Sequence, residues 1–139
     1  MSVEHFVDTN ILLYGYDTSA GEKREIALKI IEEGWTRPGC LAISVQVLQE
    51  FYVNFIKSGQ TRETTCQIIE DLSQWPVIDN TLERFGQGLE ICRHYQISLW
   101  DGMILSSAKF SGAKSMLTED LNHGQNYDGV QVVNPFLSD

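Results

Sequence analysis

Short apolar runs alternate with longer helical patterns along the whole chain, and this alternation restricts the fold more than any other feature. The apolar runs are too short for helices and predict strands at 4–7, 40–43, 76–78, 115–118 and 130–133. Helical patterns at 10–16, 21–34, 45–57, 61–74, 81–95 and 98–110 separate them. Strands that alternate with helices are typical of parallel sheets. We therefore predict an α/β fold, a three-layer α/β/α sandwich with a four- or five-stranded parallel sheet.

The bulk composition is that of one folded domain. With 139 residues, 42% of them hydrophobic and 21% charged, the chain can bury a core, so we predict a single domain over residues 1–139. Its three cysteines include no CxxC pair, which argues against a disulfide framework or zinc site and favours a reducing, cytoplasmic compartment. No stretch approaches the roughly 20 apolar residues that span a bilayer, so we expect no membrane segment.

The formal net charge of -9 restricts how the chain can meet nucleic acid. A broad basic surface is not expected, because the ten basic residues are scattered and only Lys23 and Arg24 are adjacent. A nuclease whose acids are masked by a bound cation is still compatible with this charge, because the cation inverts the local electrostatics.

Two acids follow predicted strands. Asp8 comes directly after the strand at 4–7, and Asp120 comes just after the strand at 115–118. Ligands of open α/β sheets bind at the carboxyl ends of the strands, so both carboxylates are candidates for a site at that edge. Each also has an ordinary interpretation, since Asp8 can be a helix N-cap and Asp120 can belong to an acidic turn.

Two further acids lie in predicted helices. Glu50 projects from the side opposite the apolar face of its helix, which suits either solvent or the border of a cleft. Asp101 shares an apolar stripe with Ile104 and Leu105, where a carboxylate is costly unless it is paired, hydrogen-bonded or bound to metal. A capping box with Ser98 explains Asp101 equally well. Four acids that converged on one site would repel one another unless a hard divalent cation bound them, which indicates metal-assisted chemistry on a phosphate.

Taken in order, the segments around these acids resemble the PIN-domain nucleases, and among them the VapC-like toxins of bacterial toxin–antitoxin pairs. That family has an Asp after the first strand, a Glu on a mid-chain helix, an Asp at the start of a later helix and an Asp after the next strand. The resemblance covers nearly the whole chain. The matching segments are Phe6-Val7-Asp8-Thr9-Asn10, Gln49-Glu50-Phe51-Tyr52, Trp100-Asp101-Gly102-Met103-Ile104, Leu117-Thr118-Glu119-Asp120 and Val132-Val133-Asn134-Pro135-Phe136.

The resemblance implies a metal-dependent endoribonuclease that holds Mg²⁺ or Mn²⁺. It makes Asp8, Glu50, Asp101 and Asp120 both the metal ligands and the catalytic residues. It also implies neutralisation by a small VapB-like antitoxin that buries the toxin's groove, and a homodimer.

In the predicted mechanism, Asp8, Asp101 and Asp120 form the main metal cage, and Glu50 completes it directly or through a water. A metal-activated water hydrolyses the RNA phosphodiester and leaves a 5′-phosphate and a 3′-hydroxyl. No His is well placed by the sequence to serve as a general base, so metal activation carries that role.

Side chains beside the acids are candidates for substrate contacts. We predict such contacts for Thr9, Asn10 and Thr118, the last at a position where the family usually keeps Ser or Thr. Glu119 stands where relatives often have a basic residue, and whether it joins the site is open. Several other basic and aromatic side chains are candidates for phosphate contact and base stacking, although core packing is the safer assignment for Trp100. The basic candidates are Lys57, Arg62, Lys109 and Lys114, and the aromatic ones are Tyr14, Tyr52 and Trp100.

Other classes of protein share parts of this pattern. An aspartyl phosphatase also has an Asp after its first strand, but commonly has a second Asp two residues later, where this chain has Asn10. A phosphorylated receiver domain would need an acidic pair that we do not find. The main alternative is a catalytically inactive PIN-like module that binds RNA or protein, and metal binding discriminates it, because such a module need not retain an ion. The sequence names neither the RNA target nor the number of ions.

Overall fold

The computed structural model describes residues 2–137, which form six strands and six helices. Each predicted element lies within two residues of its observed bounds. Within the described residues, no helix is both long and apolar enough to cross a bilayer. In chain order the elements are β1 (His5–Val7), α1 (Thr9–Tyr16), α2 (Glu22–Thr36), β2 (Leu41–Ser44), α3 (Val45–Lys57), α4 (Arg62–Leu72), β3 (Val77–Ile78), α5 (Leu82–Tyr95), α6 (Leu99–Ser111), β4 (Ser115–Leu117), β5 (Asn126–Tyr127) and β6 (Val130–Val133).

The strands form one sheet in the order β3-β2-β1-β4-β6-β5. The first five of these are parallel to one another, and β5 pairs antiparallel with β6 at the edge. The predicted α/β sandwich with a parallel sheet is therefore confirmed, and the sheet has one more strand than the sequence indicated.

A tight hairpin supplies the additional strand. Asp128 and Gly129 connect β5 to β6 and both have positive φ, at 53° and 98°. Two central residues with positive φ are the signature of a type I′ turn, for which Asp-Gly is a preferred pair. The turn signal was present in the sequence, but β5 is only two residues long and one of them is exposed, so no apolar run predicted it.

Helices cover both faces of the sheet. The chain moves from β1 to β2 and β3 through α1–α4, and it returns through α5 and α6 to β4 on the other side of β1. Because crossovers between parallel strands are right-handed, α1–α4 lie on one face and α5 and α6 on the other. The central strands bury Phe6, Ile43 and Met116 in the core between these layers.

Polar caps begin the helices that carry the candidate acids. The Ser44 hydroxyl accepts a hydrogen bond from the backbone N–H of Val47 at 3.2 Å, which starts α3 directly after β2, as predicted. The Ser98 hydroxyl accepts one from the backbone N–H of Asp101 at 3.1 Å and starts α6. Caps of this kind satisfy N–H groups that have no partner within the helix, so they define the residue at which each helix begins.

Two glycines allow α5 and α6 to cross with their backbones in contact. A Cβ added at Gly102 would lie 2.5 Å from the carbonyl oxygen of Gly88, and one added at Gly88 would lie 2.8 Å from Cγ of Met103. Only residues without a side chain permit so close an approach. The crossing fixes the position of α6, whose first turn carries Asp101.

Candidate functional site

Two of the four acids reach the same edge of the sheet because their strands are neighbours. Asp8 follows β1, and Asp120 follows β4 by three residues. The strands pair in parallel with Val7 opposite Leu117, so their carboxyl ends coincide. This is the edge at which open α/β sheets bind ligands.

Asp8 is a buried carboxylate held from both sides. One oxygen, Oδ1, accepts from the backbone N–H of Thr9 at 2.7 Å, so Asp8 is also the N-cap of α1. The other, Oδ2, accepts from the hydroxyl of Thr118 at 2.7 Å. Burial raises the pKa of Asp8 to about 6, against the effect of these two hydrogen bonds, and the charges of Asp120 and Glu50 add to the rise. The N-cap and the site interpretations of Asp8 therefore apply to the same side chain.

Glu50 enters the site from the middle of α3. The adjoining face of that helix, about 100° round from Glu50, buries Val47, Phe51 and Phe55 in the core, and Glu50 lies on the side that borders the cleft. Its Oε1 accepts from the hydroxyl of Thr9 at 2.6 Å. Thr9 thus connects the two carboxylates, since its backbone N–H binds Asp8 and its side chain binds Glu50.

Asp101 lies half-buried in the first turn of α6. Ile104 and Leu105 of the same stripe are buried, as the periodicity indicated. The Ser98 hydroxyl accepts from the backbone N–H of Asp101, and the carboxyl group lines the cleft, so the helix cap leaves the carboxyl group in the candidate site. Burial raises the pKa of Asp101, and the charge of Glu50 raises it further, whereas a hydrogen bond with Ser98 acts in the opposite direction.

Asp120 is the most exposed of the four acids. Its Oδ2 accepts from the Asn10 amide at 3.0 Å, and its backbone N–H donates to the hydroxyl of Thr118 at 3.1 Å. Partial burial raises the pKa of Asp120, and the charges of Asp101, Glu119 and Glu50 raise it further.

The neighbouring acid Glu119 turns away from the cleft. It accepts a hydrogen bond from the hydroxyl of Tyr14 and another from Nζ of Lys23 at 2.8 Å. Burial acts to raise the pKa of Glu119, but these two partners outweigh it and hold the pKa below its usual value. The acid whose role the sequence left open is thus engaged by α1 and α2, and Asp120 is the one that faces the four-acid site.

The four acids meet in one cleft of about 210 Å³. Among residues 2–137, no three Asp, Glu, His or Cys side chains already stand close enough together to hold a metal ion. Hydrogen bonds from Thr9, Thr118 and Asn10 fix the positions of Asp8, Glu50 and Asp120 around the cleft. A donor set made only of carboxylate oxygens nevertheless fits a hard cation such as Mg²⁺ or Mn²⁺. The cleft is lined by Asp8, Thr9, Asn10, Glu50, Asn54, Trp100, Asp101, Ile104 and Asp120.

The structure revises the assignments of several accessory residues. Thr118 is only 1% exposed and bonds to the acids, so its position suits support of the site better than contact with substrate. Trp100 is 61% exposed, so the assignment of this side chain to core packing was wrong. Lys109 pairs with Asp128 of the β5–β6 turn at 2.6 Å. Asn54, which lies four residues after Glu50 on the same side of α3, also lines the cleft, although the sequence assigned it no role there.

A larger cavity of about 430 Å³ lies between α5, α6 and the β5–β6 turn. Its charged groups include the paired Lys109 and Asp128, together with Glu90. It contains none of the four acids. Although this cavity is larger than the cleft, the raised pKa values and converging carboxylates make the smaller cleft the candidate site.

Comparisons with known proteins point to one family. The model of a family described as PIN domain matches residues 5–128. A toxin–antitoxin complex from Klebsiella pneumoniae has a TM-score of 0.70 and 24% identity, covering 96% of this chain and 98% of that chain. DNA-bound VapBC from Salmonella typhimurium has a TM-score of 0.66 and 18% identity, covering 94% and 96%. VapC20 from Mycobacterium tuberculosis, a toxin that cleaves the Sarcin-Ricin loop, has a TM-score of 0.64 and 15% identity, covering 84% and 90%. No curated protein sequence matches the chain significantly.

Proposed function

The chain belongs to the PIN-domain family, and from that premise we propose that it is a metal-dependent endoribonuclease, the toxin of a VapBC-type pair in the cytoplasm. In this proposal residues 1–139 form a single PIN domain. The observation that carries it is the convergence of Asp8, Glu50, Asp101 and Asp120 on one cleft at the carboxyl edge of the sheet. Their order along the chain and their elements agree with the pattern of the family.

Asp8, Asp101 and Asp120 would hold Mg²⁺ or Mn²⁺, and Glu50 would bind it directly or through a water. When bound, the ion supplies an activated water and neutralises charge on the scissile phosphate. The carboxylates bring the negative charge that retains the cation. Because Asp8 has a pKa of about 6, it is ionised at neutral pH and available as a ligand.

We assign supporting roles to the three polar residues that the sequence offered as substrate contacts. Thr118 orients Asp8 and the backbone of Asp120, Thr9 links Asp8 to Glu50, and Asn10 restrains the Asp120 carboxylate. Hydrogen bonds donated to the ligand carboxylates orient them and tune the affinity of the site for its metal ion. Asn10 lines the cleft and is the one of the three with partial exposure, so it keeps the substrate-contact assignment as well.

A VapB-like antitoxin is the proposed partner. The structural neighbours from Klebsiella pneumoniae and Salmonella typhimurium are a toxin–antitoxin complex and a VapBC complex, respectively. A formal charge of -9 and an acidic cleft favour a partner segment with positive charge.

We also propose a homodimer. Along α5, Leu82, Phe85 and Leu89 are exposed at intervals of three and four residues, and Phe110 of α6 is exposed as well. An apolar stripe of this kind suits burial against a second copy.

Cleavage of a structured RNA pool with Mg²⁺ or Mn²⁺ tests the activity. The wild type is compared with Asp8→Asn and Asp101→Asn, which remove one charge each, and with Asp79→Asn, which changes an exposed acid outside the cleft. We expect metal-dependent cleavage by the wild type and the Asp79 variant only. Equal cleavage by all four proteins would indicate a contaminating nuclease and remove the mechanism. Binding of Mn²⁺ by calorimetry separates an inactive module, which need not bind the ion, from an enzyme offered the wrong RNA.

A further inference from the structure

A second groove continues from the carboxylate cleft along α3. It has a volume of about 410 Å³ and shares Glu50, Asn54 and Trp100 with the cleft, so a chain that lies across the acids can extend into it without a break. The first turn of α6 forms the other wall. The groove is lined by Gln46, Gln49, Glu50, Val53, Asn54, Lys57 and Trp100.

Trp100 offers an exposed aromatic surface in this groove. It precedes Asp101 in the chain and is 61% exposed, and Val53 across the groove is exposed as well. Large aromatic side chains are usually buried unless they meet a partner. Aromatic side chains are also the platforms on which bases of single-stranded nucleic acid stack.

Gln46 adds a buried polar group with unused capacity. It is only 4% exposed, and its amide nitrogen donates to the carbonyl of Trp100 at 3.2 Å and to Oε2 of Glu50 at 3.4 Å. Since both neighbours are oxygens, the NH₂ must face them, which leaves Oε1 with no hydrogen-bond partner among residues 2–137. A buried acceptor without a partner is unfavourable, and rotation of the Gln46 amide towards the groove that it lines would let it accept from an N–H group of a ligand.

Lys57 completes the set with a positive charge at the last turn of α3. A cation, a flat aromatic surface and amide groups together match a nucleotide, whose phosphate, base face and base edge need these three kinds of contact. A protein partner held by apolar burial would leave the groove's polar side chains, Gln46, Gln49 and Asn54, without a function.

We infer that this groove binds one base of single-stranded RNA next to the scissile phosphate, with Trp100 as the stacking surface, Gln46 as an acceptor for a base N–H and Lys57 as a phosphate contact. The inference rests on the proposed ribonuclease function and adds to it the part of the chain that selects the substrate. It also explains why an unpaired Trp lies beside the acids.

Fluorescence anisotropy measures the equilibrium binding of a fluorescein-labelled RNA hexamer to the protein. The buffer contains Ca²⁺ in place of Mg²⁺ or Mn²⁺, because Ca²⁺ also binds oxygen ligands and is used here to keep cleavage slow. Wild type is compared with Trp100→Ala, Trp100→Phe and Trp35→Ala. Trp35 is the matched control, because it is also a partly exposed Trp and lies on α2, outside the groove and outside the apolar stripe of α5. A second series replaces one base of the hexamer at a time by an abasic nucleotide.

We expect Trp100→Ala to weaken binding about 5- to 150-fold, Trp100→Phe to weaken it much less, and Trp35→Ala to leave it unchanged. One abasic position should weaken binding to the wild type but have little further effect on Trp100→Ala, because the two changes remove the same contact. Lys57→Gln should reduce the slope of log Kd against log salt by about 0.7, the value for one phosphate contact of a single strand.

Three results overturn the inference. If the wild type binds and cleaves RNA but Trp100→Ala binds it equally well, the ribonuclease proposal stands and the subsite is wrong. If Trp100→Ala changes the sedimentation coefficient of the free protein but not the RNA affinity, the groove is an interface with a second copy or another protein. If the wild type neither binds nor cleaves RNA, the proposed function fails first and the subsite fails with it.

Discussion

Replacing Asp8 by Asn is expected to stabilise the metal-free protein at neutral pH, although the same change should remove metal binding. Asp8 is 6% exposed, and its pKa rises from the ordinary value of 3.8 to about 6, mainly through burial. The folded protein therefore favours the neutral carboxyl group more than the unfolded chain does. Asn removes the charge, keeps an oxygen that can accept from the backbone N–H of Thr9, and brings an NH₂ group that can donate to the hydroxyl of Thr118 in place of the present bond.

The direction and size of the effect follow from this pKa. Because folding raises the pKa of Asp8, ionisation of this group lowers the free energy of unfolding. This loss of stability is absent below pH 3.8, grows between pH 3.8 and about 6, and is complete above pH 6. At about 1.36 kcal/mol for each pKa unit, the ionised Asp8 lowers the free energy of unfolding by about 3 kcal/mol at pH 7.5. About two-thirds of that cost develops between pH 4.5 and pH 7.5. The variant should therefore gain about 3 kcal/mol at pH 7.5 and about 1 kcal/mol at pH 4.5.

Urea unfolding in EDTA at the two pH values measures these gains, with Asp79→Asn as the control for loss of an exposed negative charge. Mn²⁺ should then reverse the order of stabilities, because it binds the folded wild type and not the variant. A variant less stable than the wild type at pH 7.5, or a difference independent of pH, would refute the reasoning. Either result would mean that Asp8 is not a strained, ionised group in the folded protein.

Three further predictions address Thr118, the crossing of α5 and α6, and the pH dependence of metal binding. Thr118→Val should lower the free energy of unfolding by about 1–3 kcal/mol, because it removes the hydroxyl that binds Asp8, whereas Thr118→Ser should retain most of the stability; urea unfolding compares them. Gly102→Ala should destabilise by about 1–3 kcal/mol, since its Cβ would meet backbone at 2.5 Å. Gly86→Ala, on the neighbouring helix with open space around it, should instead stabilise by about 0.5–1 kcal/mol, and equal effects of the two glycine changes in thermal unfolding would contradict the close crossing. Mn²⁺ affinity should fall about tenfold for each pH unit below about 6, because Asp8 must lose its proton to bind; calorimetry at pH 5, 6 and 7 checks this, and a constant affinity would exclude Asp8 as a ligand.

The local features of the chain were predictable from its sequence. Ser44 caps α3 as expected, because an N-cap depends only on a hydroxyl and on the three residues that follow it. Asp8 and Asp120 could be placed at one edge, because parallel neighbouring strands bring their carboxyl ends together. The strand β5 was missed, since two residues are too few to show an alternation of side chains.

The surroundings of each side chain were not predictable in this way. Trp100 looked like a core residue, and its exposure became clear only when α3 and α6 had been placed beside the cleft. Glu119 and Asp120 are adjacent in the sequence, yet one turns to Lys23 and the other to Asn10. Such choices depend on partners that lie about a hundred residues away along the chain.

By itself, the sequence determined the alternation of strands and helices, the residues that begin the helices and the four acids that a metal site needs, because each of these depends on chain neighbours within a few residues. Only the tertiary structure decided that Thr118 binds Asp8 and that Thr9 links it to Glu50. It also decided that a groove with an exposed Trp100 continues from the acids. The physical reason is that burial and hydrogen bonding are properties of a side chain's spatial neighbours, and the sheet brings together residues from opposite ends of the chain.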